Sequence, residues 1–238
     1  MDKIRIEAEE KVFVLTGAGI SAESGIQTFR DSDGLWEGYN VEDVCTTRAW
    51  ARNPALVWDF YVQRRKAGFA AKPNPAHMAL AELESKLGDR FFLCTQNIDD
   101  LHEQAGSRRL AHMHGELAKS RCERECGRPP VDDRTLYASL DEVPRCPCGG
   151  RMRPHIVFFG EMPLEMDRLE REIAGADVMV VVGSSGAVYP AAGFVNLARQ
   201  FQARTVYIGP EPPLNMSSFS QFVEGKAGAV MPGFFDVR

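Results

Sequence analysis

Seven segments of this chain carry side chains whose types and spacing could do chemistry. Gly17-Ala18-Gly19-Ile20-Ser21-Ala22 has the G-x-G-x-x-G/A spacing of a dinucleotide-binding turn, in which small residues let backbone approach a pyrophosphate. A helix beginning there would add N–H groups and positive potential, although a tight turn without ligand fits the pattern as well. Glycine-rich sequence continues through Thr28-Phe29-Arg30 to Gly34-Leu35-Trp36, which could close over a nucleotide or simply anchor a loop through Phe29 and Trp36. Thr95-Gln96-Asn97-Ile98-Asp99 and Gly183-Ser184-Ser185 each follow an apolar run, so their polar groups fall where parallel sheets bind ligands. Capping of the next helix by Asn97 or Asp99 is the plainer alternative.

His114, before Gly115, titrates near neutrality and could act as a general base, whereas His102, His112 and His155 default to structural roles. Cys122, Cys126, Cys146 and Cys148 form two close pairs suited to tetrahedral zinc, a closed structural site. Both spacings are one residue off the usual C-x-x-C. Cys45 and Cys94 read as buried small hydrophobes. Tyr61 and Arg64 share a helix face. A phenol beside a guanidinium suits a carboxylate, but the pattern alone favours a surface Arg beside a half-buried Tyr.

These groups need elements to hold them. Lys11–Thr16, Phe91–Thr95, Ile156–Phe159, Val178–Val182 and Thr205–Ile208 are short apolar runs that read as buried strands. Helical patterns cover roughly Pro54–Ala67, Ala76–Lys86, Met166–Ala174 and Ala191–Gln202, and a further helix is expected after the Gly17 turn. This alternation predicts an α/β fold, a Rossmann-like parallel sheet with helices on both faces. Residues 31–75 and 121–154 break the rhythm and predict a small lobe, with no Gly/Ser linker to set it apart.

The chain has 238 residues, 44% of them hydrophobic and 26% charged, with a net charge of −5. That is enough for a substantial core. Its acidic balance argues against a nucleic-acid partner. No apolar run is long enough for a membrane span, and Met1 to Glu10 lacks the apolar stretch of a secretory signal. A cytoplasmic protein, with clustered cysteines that bind metal rather than form disulfides, is expected.

Taken in order, the segments resemble a sirtuin, an NAD-dependent protein-lysine deacylase. The likeness rests on GAGISAESGI (Gly17 to Ile26), TFR, GLW, TQNID, HG (His114, Gly115), the four cysteines, FGE (Phe159 to Glu161) and VVGSS (Val181 to Ser185). It runs from about Lys11 to Pro232. RPHIVFFGEMP (Arg153 to Pro163) and VYPAAGF (Val188 to Phe194) look most like bacterial members of the class that includes the mitochondrial desuccinylase (class III). In that class a Tyr-x-x-Arg pair recognises acidic acyl groups, and Tyr61-Val62-Gln63-Arg64 matches it, displacing the surface-Arg reading.

The resemblance implies a single sirtuin-type domain over residues 1–238. Its large lobe would comprise about 1–34, 76–118 and 155–238, and its small lobe a helical module of about 35–75 and a zinc module of about 119–154. NAD+ would be the co-substrate, lined by Gly17, Ala18, Gly19, Ile20, Glu23, Thr28, Phe29, Arg30, Trp36, Gln96, Asn97, Ile98, Asp99, His114, Gly183, Ser184, Ser185, Gly209, Glu211 and Ala227. His114, Asn97 and Asp99 would be catalytic: the acyl oxygen attacks the nicotinamide ribose, nicotinamide leaves, and His114 takes a proton from a ribose hydroxyl. Nicotinamide, free lysine and O-acyl-ADP-ribose result. Acyl-lysine proteins, with succinyl, malonyl or acetyl groups, would be the partners. They would bind through Tyr61, Arg64 and Ala22 and along Val157, Phe159, Gly160 and Glu161. One structural Zn2+ would sit on the four cysteines, and the protein would act as a monomer.

Three positions depart from the family pattern: Gln27 replaces a proline, Ser184 a threonine, and Gly209 the asparagine of an Asn-x-Glu segment that contacts the adenosine ribose. Loss of that asparagine could weaken NAD binding. Two other readings use the same site, a protein mono-ADP-ribosyltransferase and a non-enzymatic NAD sensor. A positioned base such as His114 argues against the sensor.

Overall fold

The computed structural model describes residues 3–27, 35–36 and 39–238, with the side chains of Leu35 and Trp36 also outside the described set. Strands β1 (Ile4–Ile6) and β2 (Val12–Thr16) come first, then the antiparallel pair β3 (Leu35–Trp36) and β4 (Tyr39–Asn40). Helices α1 (Val41–Val44), α2 (Thr47–Arg52), α3 (Pro54–Ala70) and α4 (Pro75–Leu87) follow. Next are β5 (Phe91–Thr95), α5 (Leu101–Ala105), β6 (Leu110–His112), β7 (Gly115–Cys122), β8 (Val131–Asp132) and β9 (Met152–Ile156). The chain closes with α6 (Met166–Ala174), β10 (Val178–Val182), α7 (Phe194–Gln200), β11 (Arg204–Gly209), β12 (Gln221–Glu224), α8 (Ala227–Val230) and β13 (Phe235–Val237).

The main sheet runs β12-β11-β10-β2-β5-β6, with every pairing parallel. From β2 the chain moves outward to β5 and β6, then returns to β2's other side at β10. The strand order therefore reverses between β2 and β10, which opens a crevice at their carboxyl ends. β2, β5 and β10 are buried along their whole length, as a sheet covered on both faces requires. On one face Val14, Leu93, Val180 and Ile208 pack against Leu80 and Leu83 of α4. On the other, Phe13, Phe92, Met179 and Tyr207 pack against α6 and α7 through Leu169, Ile173 and Phe194.

Several expectations change. The turn after β2 continues as two short 3-10 turns, Ala18–Ile20 and Ala22–Ser24, instead of an α-helix. Ser21 and Gly25 end them early, Gly25 in the left-handed region at φ 85°, which a helix cannot accommodate. The strand expected at Ile156–Phe159 belongs to neither the parallel sheet nor that register. β9 ends at Ile156 and pairs antiparallel with β7, in a separate sheet ordered β8-β7-β9. The helix expected from Ala191 begins as a 3-10 turn and becomes α7 only at Phe194.

The three-stranded sheet and α3 share an apolar cluster of Val57, Trp58, Phe60, Tyr61, Leu117, Ile156 and Phe158. Buried Arg65 clamps the two together. Its Nε donates to the Leu117 carbonyl (2.9 Å), Nη1 to that of Thr135 (2.8 Å) and Nη2 to Ser120 Oγ (3.1 Å), with Asp133 as counter-ion. Burial opposes the ionisation of Asp133, but the Ser120 hydroxyl and the Arg65 charge outweigh it and hold the carboxyl below its usual range. Its stabilising effect is therefore full at neutral pH and is lost as pH falls through that lowered value. Arg65→Met strands these acceptors and should cost about 3–5 kcal/mol in denaturant unfolding at pH 7. A change below about 0.5 kcal/mol, the range of an ordinary surface substitution, would refute the clamp.

Candidate active site

The crevice is built by backbone in close contact. Gly19 N–H donates to the Gly183 carbonyl (2.9 Å) and Gly17 N–H to that of Val182 (2.9 Å). A Cβ on Gly19 would lie 2.7 Å from Gly183 Cα, and one on Gly183, at φ +63°, would lie 2.6 Å from Ile20 N. Neither position has room for any other residue, so the loops after β2 and β10 are fitted together. β5 contributes the third wall: Gln96 N–H donates to the Thr16 carbonyl (2.9 Å) and Gln96 Nε2 to Ser184 Oγ (2.9 Å). Glu23, on the second 3-10 turn, accepts from Gly228 N–H (2.7 Å), which brings the turn to the start of α8 beside Ala227. Gly209 ends β11 next to this crevice, while Glu211 is exposed beyond it.

Asn97 and Asp99 meet at Ser21. Asn97 Nδ2 donates to Ser21 Oγ (3.0 Å), which donates to Asp99 Oδ2 (3.1 Å). His77 Nε2 lies 3.5 Å from the same hydroxyl. Asp99 Oδ1 also accepts from Leu101 N–H (3.2 Å) at the start of α5, so the capping alternative holds as well. Burial raises the Asp99 carboxyl above its usual range and brings His77 down to about 4. Sequence reasoning missed His77. Its only signal is position, since it closes the Asn74 capping box of α4.

The histidines around β6 divide by their partners. His112 Nδ1 faces the Asn97 carbonyl (3.0 Å) and Nε2 faces Glu103 Oε1 (2.8 Å). A carbonyl only accepts, so Nδ1 carries a proton, and Nε2 shares the other hydrogen bond with the Glu103 carboxyl. Burial opposes a charge on the ring, but the Glu103 carboxylate outweighs it and raises the His112 pKa. His114 Nδ1 faces the Gln96 carbonyl (3.1 Å), so its proton sits on Nδ1 and Nε2 keeps a lone pair. Burial lowers the His114 pKa, only partly offset by that hydrogen bond. A neutral imidazole with an available Nε2 is what a general base requires. His102 is buried, lies 3.0 Å from Thr16 Oγ1 and is held well below its usual pKa by burial and the neighbouring histidines, as befits a structural residue.

Tyr61 and Arg64 are not at the surface; they are 1% and 3% exposed, and Tyr61 belongs to the apolar cluster that α3 shares with the three-stranded sheet. Tyr61 Oη donates to Cys45 Sγ (3.6 Å), so Cys45, buried as expected, also touches the pair. Burial holds the phenol well above its ordinary pKa, so it stays a donor. The Arg64 guanidinium lies 5.9 Å from the Phe60 ring centre. Ala22, in contrast, is exposed on the 3-10 turn. In the segment 157–161, Val157 N–H goes to the His114 carbonyl (2.9 Å) and Phe159 N–H to that of Cys45 (2.8 Å). Glu161 does not face outward: its carboxylate takes Arg153 (2.6 and 3.0 Å), Arg121 (2.8 Å) and Phe158 N–H (2.8 Å). Gly160 and the Phe159 ring are exposed. The expected site residues Thr28, Phe29 and Arg30, and the side chain of Trp36, lie outside the described residues.

The sulfurs of Cys122, Cys126, Cys146 and Cys148 lie within 4.8 Å of one another. That fits four thiolates around one zinc despite the altered spacings. The tight turn at 146–150, where Cys146 N–H donates to the Gly150 carbonyl (2.9 Å) and Gly149 N–H to that of Cys146 (2.8 Å), folds the second pair onto the first.

Residues 17–190 match the Sir2 family. The chain belongs to that family. A relative in Caulobacter vibrioides named "NAD-dependent protein deacylase" is 51% identical over 233 residues, spanning 95% of each chain. A solved Sir2 homolog–NAD complex superposes with a TM-score of 0.86 at 42% identity, covering 95% of this chain and 89% of that one. A second structure, Sir2 bound to acetylated peptide, does so at 0.80 and 28% identity, covering 94% and 92%. The fold neighbours thus agree with the resemblance read from the motifs.

Imidazole NMR titration should find the two histidines of the HMH run shifted in opposite directions, His112 above the ordinary value of about 6.5 and His114 below it. Equal midpoints would contradict the assigned partners. Metal analysis should find one zinc per chain, and Cys146→Ser should lower both its content and the melting temperature. A fully folded, zinc-free protein would contradict the four-thiolate site.

Proposed function

We propose that this chain is an NAD-dependent protein-lysine deacylase that prefers acidic acyl groups. Its family membership, and the relative's printed name, support the NAD-dependent deacylase reading. NAD would occupy the crevice between the loops after β2, β5 and β10, and its ribose, once nicotinamide leaves, would accept the acyl oxygen. The chain's own groups then have definite tasks. The Gly17–Ile20 and Gly183–Ser185 backbone approaches the dinucleotide, and Asn97 and Asp99, held through Ser21, order the polar end of the pocket. His114 Nε2 takes the proton of a ribose hydroxyl while Nδ1 stays bound to the Gln96 carbonyl. A substrate peptide paired along 157–161 would rely on carbonyls there, because Val157 and Phe159 N–H are already used inside the protein.

The observation that carries the specificity is the burial of Arg64 and Tyr61. A guanidinium buried in a low dielectric binds a carboxylate more strongly than one at the surface. The buried Tyr61 phenol stays protonated, and turning its one O–H from Cys45 to the carboxylate would add a directional donor. Acetyl-lysine brings no charge to this pair and gains nothing from it. Arg64→Met should therefore lower kcat/KM for succinyl-lysine peptide by about 100-fold, the worth of a charge-assisted hydrogen bond of nearly 3 kcal/mol, and change that for acetyl-lysine less than threefold. Equal loss of both activities would overturn the acidic preference while leaving the deacylase reading in place.

A further inference from the structure

Tyr207 and Gly209 stand two residues apart on β11 and so share one face of the sheet. Tyr207 is 1% exposed, its ring against Phe219 (5.4 Å between centres) and Phe222 (5.9 Å). Its hydroxyl donates to the Ser184 carbonyl at 3.0 Å. A Cβ on Gly209 would lie 2.7 Å from that hydroxyl, 2.8 Å from Cε1 and 2.9 Å from Cζ, closer than real atoms approach. A free aromatic ring could swing aside, but this one is packed and hydrogen-bonded. The phenol therefore occupies the space that a side chain at position 209 would need.

We propose that Tyr207 is a positioning residue for the dinucleotide, acting from the space left by Gly209 and in place of a side chain there. The proposal rests on the NAD reading of the crevice. Ser184 is gripped twice, through its hydroxyl by Gln96 from β5 (2.9 Å) and through its carbonyl by Tyr207 from β11 (3.0 Å). Across a planar trans peptide the carbonyl and the next N–H point in opposite directions. With the Ser184 carbonyl turned toward the buried ring, the Ser185 N–H is turned away from it. Fixing one atom of that peptide thus fixes the donor on its other side. Tyr207 is not a catalytic residue in this account, since its hydroxyl touches protein and not substrate.

The test is the NAD affinity of the full-length protein by calorimetry, with NAD KM and kcat for an acyl-lysine peptide measured alongside. Tyr207→Phe frees the Ser184–Ser185 peptide before NAD binds, so NAD affinity should fall and KM rise by more than twofold and by at most about fivefold, the worth of one neutral buried hydrogen bond, with kcat within twofold. Gly209→Ala should weaken NAD similarly by displacing the ring, and the double variant should be no worse than the weaker single. Gly209→Asn should weaken binding too, not restore it. NAD affinity of Tyr207→Phe within twofold of wild type, or a double variant in which the two losses multiply, would overturn the proposal; a pure packing role would lower the melting temperature and leave KM alone. If the wild-type chain binds no NAD at all, the reading of the crevice fails and this proposal falls with it.

Discussion

Backbone meets backbone at Gly19 and Gly183, without room for a single Cβ. That contact lies where the order of the parallel sheet reverses, so the loops after β2 and β10 cannot diverge as they would around an ordinary crevice. The rest of the site depends on it. Ser184 can reach Gln96 because Gly183 is seated on Gly19, and Ser21 can join Asn97 to Asp99 because the loop after β2 turns sharply at the same point. Larger side chains here would push the loops apart and lose the donors on both sides together.

Beyond this contact, burial assigns the roles. It lowers the pKa of His114, whose Nδ1 faces a carbonyl, while the Glu103 carboxylate raises that of His112 two residues away. On α3 it separates two consecutive arginines. Arg65 spends its donors on Leu117, Thr135, Ser120 and Asp133, whereas Arg64 sits with Tyr61 near Phe60 and Cys45. One arginine fastens α3 to the sheet.

Four of the six parallel strands, β2, β5, β10 and β11, were legible in the sequence because each is a short apolar run; the outer strands β6 and β12, only partly buried, were not. Phe91–Thr95, Val178–Val182 and helix Met166–Ala174 match their expected limits. Ile156–Phe159 misled because an apolar run reports burial and not its partner, and the true partner, β7, is mixed in polarity. The 3-10 turns after Gly17 hid behind a motif that elsewhere opens a helix. In the site, motif residues were legible, but the burial of Arg64 was not, since a helix with apolar residues on several sides shows no clear inner face. His77 and Tyr207 lie outside any motif, and only the fold brings them to Ser21 and Ser184.

The most direct test of the central claim is a mass-spectrometric time course with matched succinyl-lysine and acetyl-lysine peptides, with and without NAD. Succinyl should be removed only with NAD, faster than acetyl, and succinyl-ADP-ribose should appear in equal amount with the freed lysine. Turnover without NAD, or ADP-ribose ending on a protein side chain instead of the acyl group, would contradict that claim.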